Sequence, residues 1–390
     1  MNTKTVLAIF CLIVGCVCVI LYYTEKRYSS EEMEEVASDR CQDPLVLVWE
    51  FRFETCDTNP YFALEHDKIY AHQSSDVLYC LSAKTGNLLW AQDIDGMLDS
   101  PLTVIDGSIY FVSENQADGY RQSSSFTCLD AETGTLRWEI KGGNFDTSFT
   151  VYNGRVYVYN GSWQCLDAAT GEEVWSSSVN RAFYSPAVGD GKVVIGAYEP
   201  GEASSKQYHI YCLDAATGST LWVLEDDNTY SAVAVYSGKI YNFNAFGVQC
   251  IDLGTSEVLW RTELGKAYNS FVENGKVYST PWWSSVFCLD ADTGTILWKY
   301  DIVGKEVEIY HPVDWVGVSL TPEVADGKIY TGSQKKNPFV YCLDAETGEL
   351  IWRYEKGNQW YSAPIVTGNR LYYAVKSGIL CFEISDSGPQ

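Results

Sequence analysis

Cysteine is the residue type whose recurrence in this chain could carry chemistry. Of the 13 cysteines, eight recur at intervals of 37 to 54 residues, and seven of these are followed ten positions later by tryptophan, as in "CLDAETGTLRW" from Cys128 to Trp138. Thiolates bind zinc, form disulfides and take part in redox reactions. Each of these is therefore a candidate role for the recurring cysteines. The recurring cysteines are Cys80, Cys128, Cys165, Cys212, Cys250, Cys288, Cys342 and Cys381.

Each recurring cysteine belongs to a unit of about forty residues with four short strands. Alternating segments such as "RVYVYN" at 155 predict strands, and Asp-Gly or Asn-Gly pairs such as Asp106-Gly107 predict two-residue hairpins. Between the third and fourth strands, "DAETG" offers an aspartate that caps the turn backbone and a glycine for a left-handed position. Each unit is therefore predicted to be a four-stranded antiparallel meander.

Radial packing of such units predicts an all-β, eight-bladed β-propeller. No tryptophan follows Cys381, whereas "PLVLVWEF" at residues 44 to 51 is typical of a fourth strand and contains Trp49. We expect this N-terminal strand to complete the last blade and close the ring, which removes a free sheet edge. The predicted structural docking residues are Trp49, Trp90, Trp138, Trp175, Trp222, Trp260, Trp298 and Trp352.

Closure of the ring separates the recurring cysteines. One cysteine per blade at an equivalent position places the thiols beyond the roughly 7 Å Cα separation that a disulfide allows. Such thiols also do not converge on one point, as a tetrahedral zinc site requires, so packing is the predicted role. Cys41 and Cys56 differ, because they flank the closing strand. They form either a disulfide that joins the seam or two unpaired thiols, and both interpretations stay open.

The pattern Cys-x-Asp-x-x-Thr-Gly-x-x-x-Trp resembles the tryptophan-docking repeat of pyrroloquinoline-quinone-type propellers, in which alanine commonly replaces the cysteine. The resemblance covers about residues 44 to 384. It departs at Ser82, which replaces the aspartate in the first repeat, and at Ser256, which replaces the glycine in the fifth. Both departures are expected to weaken a turn without changing the fold.

The resemblance implies two kinds of function. One is that of quinoprotein alcohol and sugar dehydrogenases, which would be expected to show a vicinal Cys-Cys pair and calcium ligands. The other is that of cofactor-free scaffolds, such as the propeller lipoprotein of the outer-membrane barrel-assembly machinery. This chain has no Cys-Cys pair. We therefore expect no cofactor and no bound metal, and place the chain closest in kind to the scaffolds.

The N-terminus precedes the repeats. "VLAIFCLIVGCVCVILYY", Val6 to Tyr23, is an apolar run of 18 uncharged residues, which predicts a membrane-spanning helix. We divide the chain into an anchor at 1–23, a polar stalk at 24–43 and a propeller at 44–390, with the propeller on the extracytoplasmic side. The competing interpretation is a cleaved lipoprotein signal that leaves Cys16 as a lipidated N-terminus, because Ile13-Val14-Gly15-Cys16 resembles a lipoprotein cleavage box.

The predicted topology divides the propeller into two faces. Links from first to second and from third to fourth strands open on one face, here called the turn face. The other links open on the opposite face, here called the insert face, which carries every long insert. Six aromatic residues at or near its channel mouth form the predicted ligand or partner face, unless they plug the channel as core: Tyr184, Tyr230, Tyr268, Trp315, Trp360 and Tyr361.

The amino-acid composition limits the classes of partner that the chain is expected to bind. A net charge of −24 argues against nucleic acid, which would demand a basic face. The four histidines show no metal or triad spacing, so loop or surface positions are predicted for them. The leading interpretation is a monomeric, membrane-anchored, non-enzymatic scaffold that binds a protein or a glycan. The alternatives are a quinone-dependent redox enzyme and a carbohydrate-binding or surface sensor module.

Overall fold

The repeats form antiparallel sheets in a computed structural model of the chain. The described residues are 6–7, 22–23, 44–53, 60–73, 76–98, 100–117, 120–179, 185–200, 206–226, 232–265, 267, 270–280, 285–302, 322–332, 339–355, 364–375 and 377–385. They fall into two compact units, Met1–Gln42 and Asp43–Gln390.

The second unit is the predicted eight-bladed propeller, and within each blade the strands follow one another as an antiparallel meander. Blade 1 is Tyr61–Glu65, Lys68–His72, Val77–Ser82 and Leu88–Asp93; blade 2 is Thr103–Ile105, Ser108–Ala117, Tyr120–Asp130 and Leu136–Gly143, with Met97–Leu98 as an added strand; blade 3 is Phe145–Tyr152, Arg155–Asn160, Trp163–Asp167 and Glu173–Ser177; blade 4 is Ala187–Gly189, Lys192–Pro200, Lys206–Asp214 and Thr220–Asp226. Blade 5 is Ala232–Tyr236, Lys239–Phe243, Gly247–Asp252 and Val258–Glu263; blade 6 is Ser270–Glu273, Lys276–Ser279, Ser285–Asp290 and Ile296–Asp301; blade 7 is Glu323–Ala325, Lys328–Gly332, Phe339–Asp344 and Leu350–Glu355; blade 8 is Ile365–Thr367, Arg370–Val375, Gly378–Ile384 and Leu45–Arg52.

Blade 8 is completed by the N-terminal strand, which confirms the predicted split blade. Leu45–Arg52 pairs antiparallel with Gly378–Ile384, and Trp49 lies opposite Cys381. At the start of this ladder the Ser385 amide donates a hydrogen bond to the Pro44 carbonyl at 2.9 Å. The first and last strands of the propeller are thus hydrogen-bonded neighbours.

The first unit is described only in part. Val6–Leu7 pairs antiparallel with Tyr22–Tyr23. The rest of the predicted apolar helix lies outside the described residues, as do the polar stalk and Cys16. No helix in the described part of the chain is both long and apolar enough to cross a membrane.

The turns adopt the backbone conformations that their residues predict. Asp106 and Gly107 both have positive φ, at 52° and 69°, and the same holds for the Asn-Gly and Asp-Gly pairs of other blades. In the "DAETG" turn of blade 2, Asp130 Oδ1 accepts hydrogen bonds from the Glu132 and Thr133 amides at 3.0 and 2.9 Å. In blade 1, where Ser82 replaces the aspartate, its carbonyl oxygen accepts from the Gly86 amide at 2.8 Å.

A cross-strand row of tyrosine, cysteine and tryptophan recurs within the blades. In blade 2, Tyr110 lies opposite Cys128, and Cys128 lies opposite Trp138. The tyrosine and tryptophan rings are 6.1 Å apart, and the cysteine between them is fully buried. A small side chain is needed there, because a larger one would collide with two aromatic rings. This explains why cysteine can occupy a position that alanine also fills.

The fourth strands carry a β-bulge immediately before the tryptophan. In blade 2, Cys128 pairs with Trp138 but Leu129 pairs with Leu136, which leaves Arg137 as the extra residue. The same shift occurs in the other seven blades. A bulge twists an edge strand and interrupts its free ladder, so it protects these outer edges from pairing with another chain.

Tryptophan indoles join each blade to the next. Six of the eight donate Nε1–H to a carbonyl at the third-to-fourth turn of the following blade at 3.0 to 3.2 Å: Trp49 to Ala83, Trp138 to Ala168, Trp175 to Ala215, Trp222 to Leu253, Trp260 to Ala291 and Trp298 to Ala345. Tyrosine hydroxyls at the row's other end donate to three of the same carbonyls, at Ala83, Ala168 and Ala291. Trp352 is buried in a cluster with Leu45, Tyr330 and Ile384.

Where the third-to-fourth turn contains glycine, two features of the structure favour that residue. Gly294 has a φ of 71°, and a Cβ built on it would lie 2.4 Å from the Trp260 ring. Both the left-handed backbone and the close aromatic ring therefore favour glycine. In blade 5, Ser256 occupies the corresponding position with a φ of 62°. Left-handed backbone at a residue with a Cβ costs about 1 kcal/mol, so this turn stores strain that its equivalents lack.

We expect Ser256→Gly to stabilise the propeller by about 0.5 to 1 kcal/mol, because glycine relieves the strain but loses more entropy on folding. Urea unfolding measures the change. The reverse substitution in blade 6, Gly294→Ser, is the matched control and should destabilise by about 2 kcal/mol or more through the indole contact. Equal effects of the two substitutions would contradict this account of the turn.

Candidate functional site

The recurring cysteines are structural in their surroundings. All eight thiols are unpaired and buried. Burial raises the pKa of Cys80, Cys288 and Cys342 to about 12, so these thiols carry almost no thiolate at neutral pH. Among the described residues, no group of three His, Cys, Asp or Glu side chains is arranged to hold a metal ion. Cys41 and Cys56 lie outside the described residues.

The predicted aromatic face is not described by the structure. Tyr184, Tyr230, Tyr268, Trp315, Trp360 and Tyr361 all lie outside the described residues. The strands and turns that the structure does describe define the insert face. They show two features there that the sequence pattern did not reveal: a pair of long hairpins and a rigid turn in blade 5.

Two inserts extend the second and third strands of their blades as paired antiparallel strands, here called the arms. In blade 2 the second and third strands extend to Ala117 and Tyr120, which are paired with each other. In blade 4 the corresponding strands extend to Pro200 and Lys206. Second strands of the other blades have only four to six residues. Paired backbone gives these inserts a more fixed position than an irregular loop would have.

The turn face opens into a cleft between blades 1 and 2. Its volume is about 480 Å³, and its lining includes several charged side chains. Lys68 bonds Glu132 at 2.7 Å, and Arg137 bonds Asp130 at 2.7 Å. The hydrogen bond from Arg137 lowers the pKa of Asp130 to about 2, which keeps this carboxylate ionised. These four charged side chains pair with one another within the cleft.

The junction at this cleft is looser than its equivalents. Trp90 Nε1 does not follow the docking pattern of the six indoles, since it is buried without a hydrogen-bond partner in the described part of the chain. The carbonyl of Ala131 accepts instead from the Tyr70 hydroxyl at 3.0 Å. A Cβ built on Gly134 would lie 3.0 Å from the Trp90 ring, whereas other turn glycines approach their indoles to between 2.4 and 2.8 Å.

Two histidines are buried in strands, so the predicted loop or surface positions are wrong for His72 and His209. His72 Nε2 lies 2.9 Å from the Ser100 carbonyl, and its ring stacks on Tyr61 at 5.3 Å. Burial lowers the pKa of His72 to about 4. The imidazole is therefore neutral near pH 7 and connects blade 1 to the segment that enters blade 2. Periodicity alone could not distinguish it from a surface histidine, because its partner is a backbone carbonyl.

One carboxyl group on an inner strand titrates near neutrality. Glu323 of blade 7 is partly buried, and desolvation raises its pKa to about 7, with a smaller contribution from Glu273 of blade 6. Its ordinary value is 4.5. The folded protein therefore holds this proton more tightly than the unfolded chain does. The stabilising contribution is present at low pH and is lost as the pH rises from about 4.5 through 7.

We expect Glu323→Gln to stabilise the propeller at pH 8 but not at pH 5, because glutamine never ionises. The gain should be about 1 kcal/mol after allowance for solvent screening. Thermal unfolding at both pH values measures it, and Glu349→Gln, at an exposed turn, is the control. A gain of equal size at both pH values would show that ionisation is not its cause.

Comparisons with known proteins agree with this architecture. Of the solved structures, BamB from Moraxella catarrhalis matches with a TM-score of 0.64 and 19% identity over 88% of this chain and 98% of that chain. The quinohemoprotein alcohol dehydrogenase ADHIIG from Pseudomonas putida HK5 matches with a TM-score of 0.63 and 15% identity over 90% of this chain and 78% of that chain. The computationally designed Ika8 protein matches with a TM-score of 0.68 and 15% identity, over 88% of this chain and 100% of that chain. At these identities the likeness shows the fold alone.

Sequence matches are narrower among curated proteins. Tetrathionate hydrolase from Acidithiobacillus ferrooxidans is 40% identical over 62 residues, which span 16% of this chain and 12% of that protein. The profile of the family described as outer membrane protein assembly factor BamB matches residues 46–143, 122–245, 244–336 and 284–387. These segments together cover nearly the whole propeller, and they confirm the resemblance that the repeats carry. The chain belongs to this BamB-type family of quinoprotein-like repeat propellers.

Proposed function

We propose that this propeller is a non-enzymatic scaffold that binds a protein partner through its insert face. The observation that carries the proposal is that the recurring cysteines and tryptophans have structural roles. Each recurring cysteine is buried in a strand row, and the tryptophans that could be reactive or stack on ligands join the blades instead. The blades differ from one another mainly in their inserts, and loops on a rigid scaffold commonly carry function.

The arms support a protein partner. Hairpins that project from blades 2 and 4 enlarge one face of the ring and add backbone edges to it. Stable protein interfaces bury about 800 Å² per partner, which favours an extended face over a small cleft. Membership of a family described as an assembly factor agrees with a role in binding other proteins.

The proposed setting is the extracytoplasmic side of a membrane. The apolar run from Val6 to Tyr23 would anchor the chain, and the polar segment at 24–43 would separate it from the ring. We further propose that the propeller acts as a monomer without a cofactor. Glycan binding by the insert face is the alternative occupant, and the experiments below distinguish the two.

A redox function is the second candidate, because quinohemoprotein alcohol dehydrogenase shares the fold over 90% of this chain. The sequence lacks the vicinal cysteine pair that the resemblance would imply for that function. We expect the purified protein to reduce no dye with alcohol or sugar substrates after addition of pyrroloquinoline quinone and calcium. Quinone-dependent dye reduction would reject the scaffold in favour of an enzyme.

Shortening one arm tests the proposed binding face. We replace residues 115–123 with Asn-Gly in the full-length protein, since Glu114 and Ser124 are already paired and this dipeptide favours a two-residue hairpin. We expect capture of the partner from solubilised membranes to fall roughly tenfold or more, the loss typical of a removed interface centre.

The control for the arm is Glu132→Gln on the turn face of the same blade, which should leave capture unchanged. Both variants should keep the thermal midpoint of the wild-type ring, because neither change touches the tyrosine, cysteine and tryptophan row. Undiminished capture by the shortened variant, or equal losses in both variants, would exclude the insert face as the binding surface.

A further inference from the structure

Phe246 is an exposed aromatic residue on the insert face. Its side chain is 55% exposed, at the tip of the link between the second and third strands of blade 5. Among the aromatic side chains whose exposure the structure describes, one other is exposed, Tyr152 at 40%, and it lies at the turn-face end of blade 3. Single apolar residues on a surface are common, so exposure alone does not identify a contact.

The turn that presents Phe246 is held by a dense set of hydrogen bonds. Asn244 Oδ1 accepts from the Phe246 and Gly247 amides at 2.9 and 3.2 Å. The Asn244 amide donates to the Gly247 carbonyl at 2.9 Å. The Phe246 carbonyl accepts from the amides of Leu264 and Gly265, both at 2.9 Å. The backbone on both sides of the exposed ring is thus fixed before any partner arrives.

Gly247 restricts the same turn sterically. Its φ is 151°, and a Cβ built on it would lie 2.1 Å from the Thr262 carbonyl oxygen. Only glycine fits this approach of two backbones without a shift of the strand. A rigid turn reduces the conformational entropy that an anchor residue loses on binding, so an exposed ring held in this way is suited to a protein interface.

The surroundings of Phe246 favour a protein over a sugar. A sugar platform combines an aromatic face with polar groups that bond hydroxyls. At this tip the Phe246 amide and carbonyl are already engaged within the turn, and phenylalanine has no polar edge. Glu263, opposite Gly247, is exposed and carries negative charge. The whole chain has a net charge of −24, which favours a partner with basic groups.

We propose that Phe246 is an anchor that inserts into an apolar pocket of a protein partner, with a basic side chain of that partner beside Glu263. The inference rests on the proposed scaffold function and deepens it, because it names the contact residue and the chemistry of the surface that receives it. Buried aromatic anchors of this kind dominate the energy of many interfaces.

The test places a photo-crosslinking phenylalanine analogue at position 246 of the full-length protein in its native membranes, with matched positions 152 on the turn face and 97 on the insert face. We expect 246 to form a protein adduct that 152 does not form, mapped to an apolar segment of the partner that contains lysine or arginine. The partner so identified is then purified. Its affinity should fall roughly tenfold or more with Phe246→Ala and less than twofold with Tyr152→Ala.

Two further readouts complete the design. Glu263→Gln should weaken binding less than Phe246→Ala and should reduce its salt dependence, because a rim charge acts mainly through long-range attraction. The unfolding midpoint of Phe246→Ala should match that of the wild type, since the ring is exposed.

The outcomes separate this inference from the function on which it rests. Adducts from position 97 without adducts from 246 would overturn the anchor and leave the scaffold intact. An adduct at 246 whose affinity is insensitive to Phe246→Ala would also count against the anchor. Binding to a glycan array that Phe246→Ala abolishes would replace the protein with a sugar. Absence of a protein adduct from every position, together with no capture by the wild-type chain, would reject both proposals.

Discussion

The propeller depends on one interaction, the docking of a tryptophan indole on the third-to-fourth turn of the next blade. A complete docking joins three features: a tryptophan after a bulge, a carbonyl at the third-to-fourth turn, and a glycine that lets the indole approach. Blade 5 has Ser256 in place of that glycine. Trp260 shows all three, because it donates to the Ala291 carbonyl and lies against Gly294. A small cysteine then follows from packing, since the row between tyrosine and tryptophan has no space for a larger side chain. The residues of the repeated motif therefore form the interface between neighbouring blades.

Ion pairs between blades follow the same geometry. A lysine that begins a second strand bonds the acid in the next blade's turn where an acid is present, as Lys68 does with Glu132. Lys239 and Asp292 form a second such pair, as do Lys276 and Glu346.

At the closing junction between blades 8 and 1, the turn has Lys84 in place of an acid. Arg370 there donates to the Ala83 and Lys84 carbonyls at 3.1 and 2.8 Å. Surface pairs of this type contribute about 0 to 1 kcal/mol each, so they adjust junctions that the indoles already fix.

The fold could be predicted because its rules are local and repeated. Asp-Gly turns, alternating strands and the cysteine-to-tryptophan spacing each specify geometry within about ten residues, and seven copies share that spacing. The unmatched Cys381 and Trp49 even predicted the split blade. The candidate site could not be predicted in this way, because it depends on exceptions. The buried position of His72 is set by a carbonyl in the segment that enters the neighbouring blade. The sequence shows the arms only as long inserts, because pairing near Ala117 and Tyr120 has no apolar alternation to signal it.

A ring built in this way restricts where function can develop. Any side chain in the rows between blades is held by neighbours on two strands and on the next turn, so a change there affects stability before it affects binding. The turn face is almost as constrained, because its aspartates and glycines form the docking platforms. The indole dockings of the described residues lie on the turns of the opposite face, and the links on the insert face vary widely in length. Phe246 is an example of a residue in such a link. Hydrogen bonds within the propeller fix the backbone of its turn, while its side chain contributes little to the core and is available to a partner.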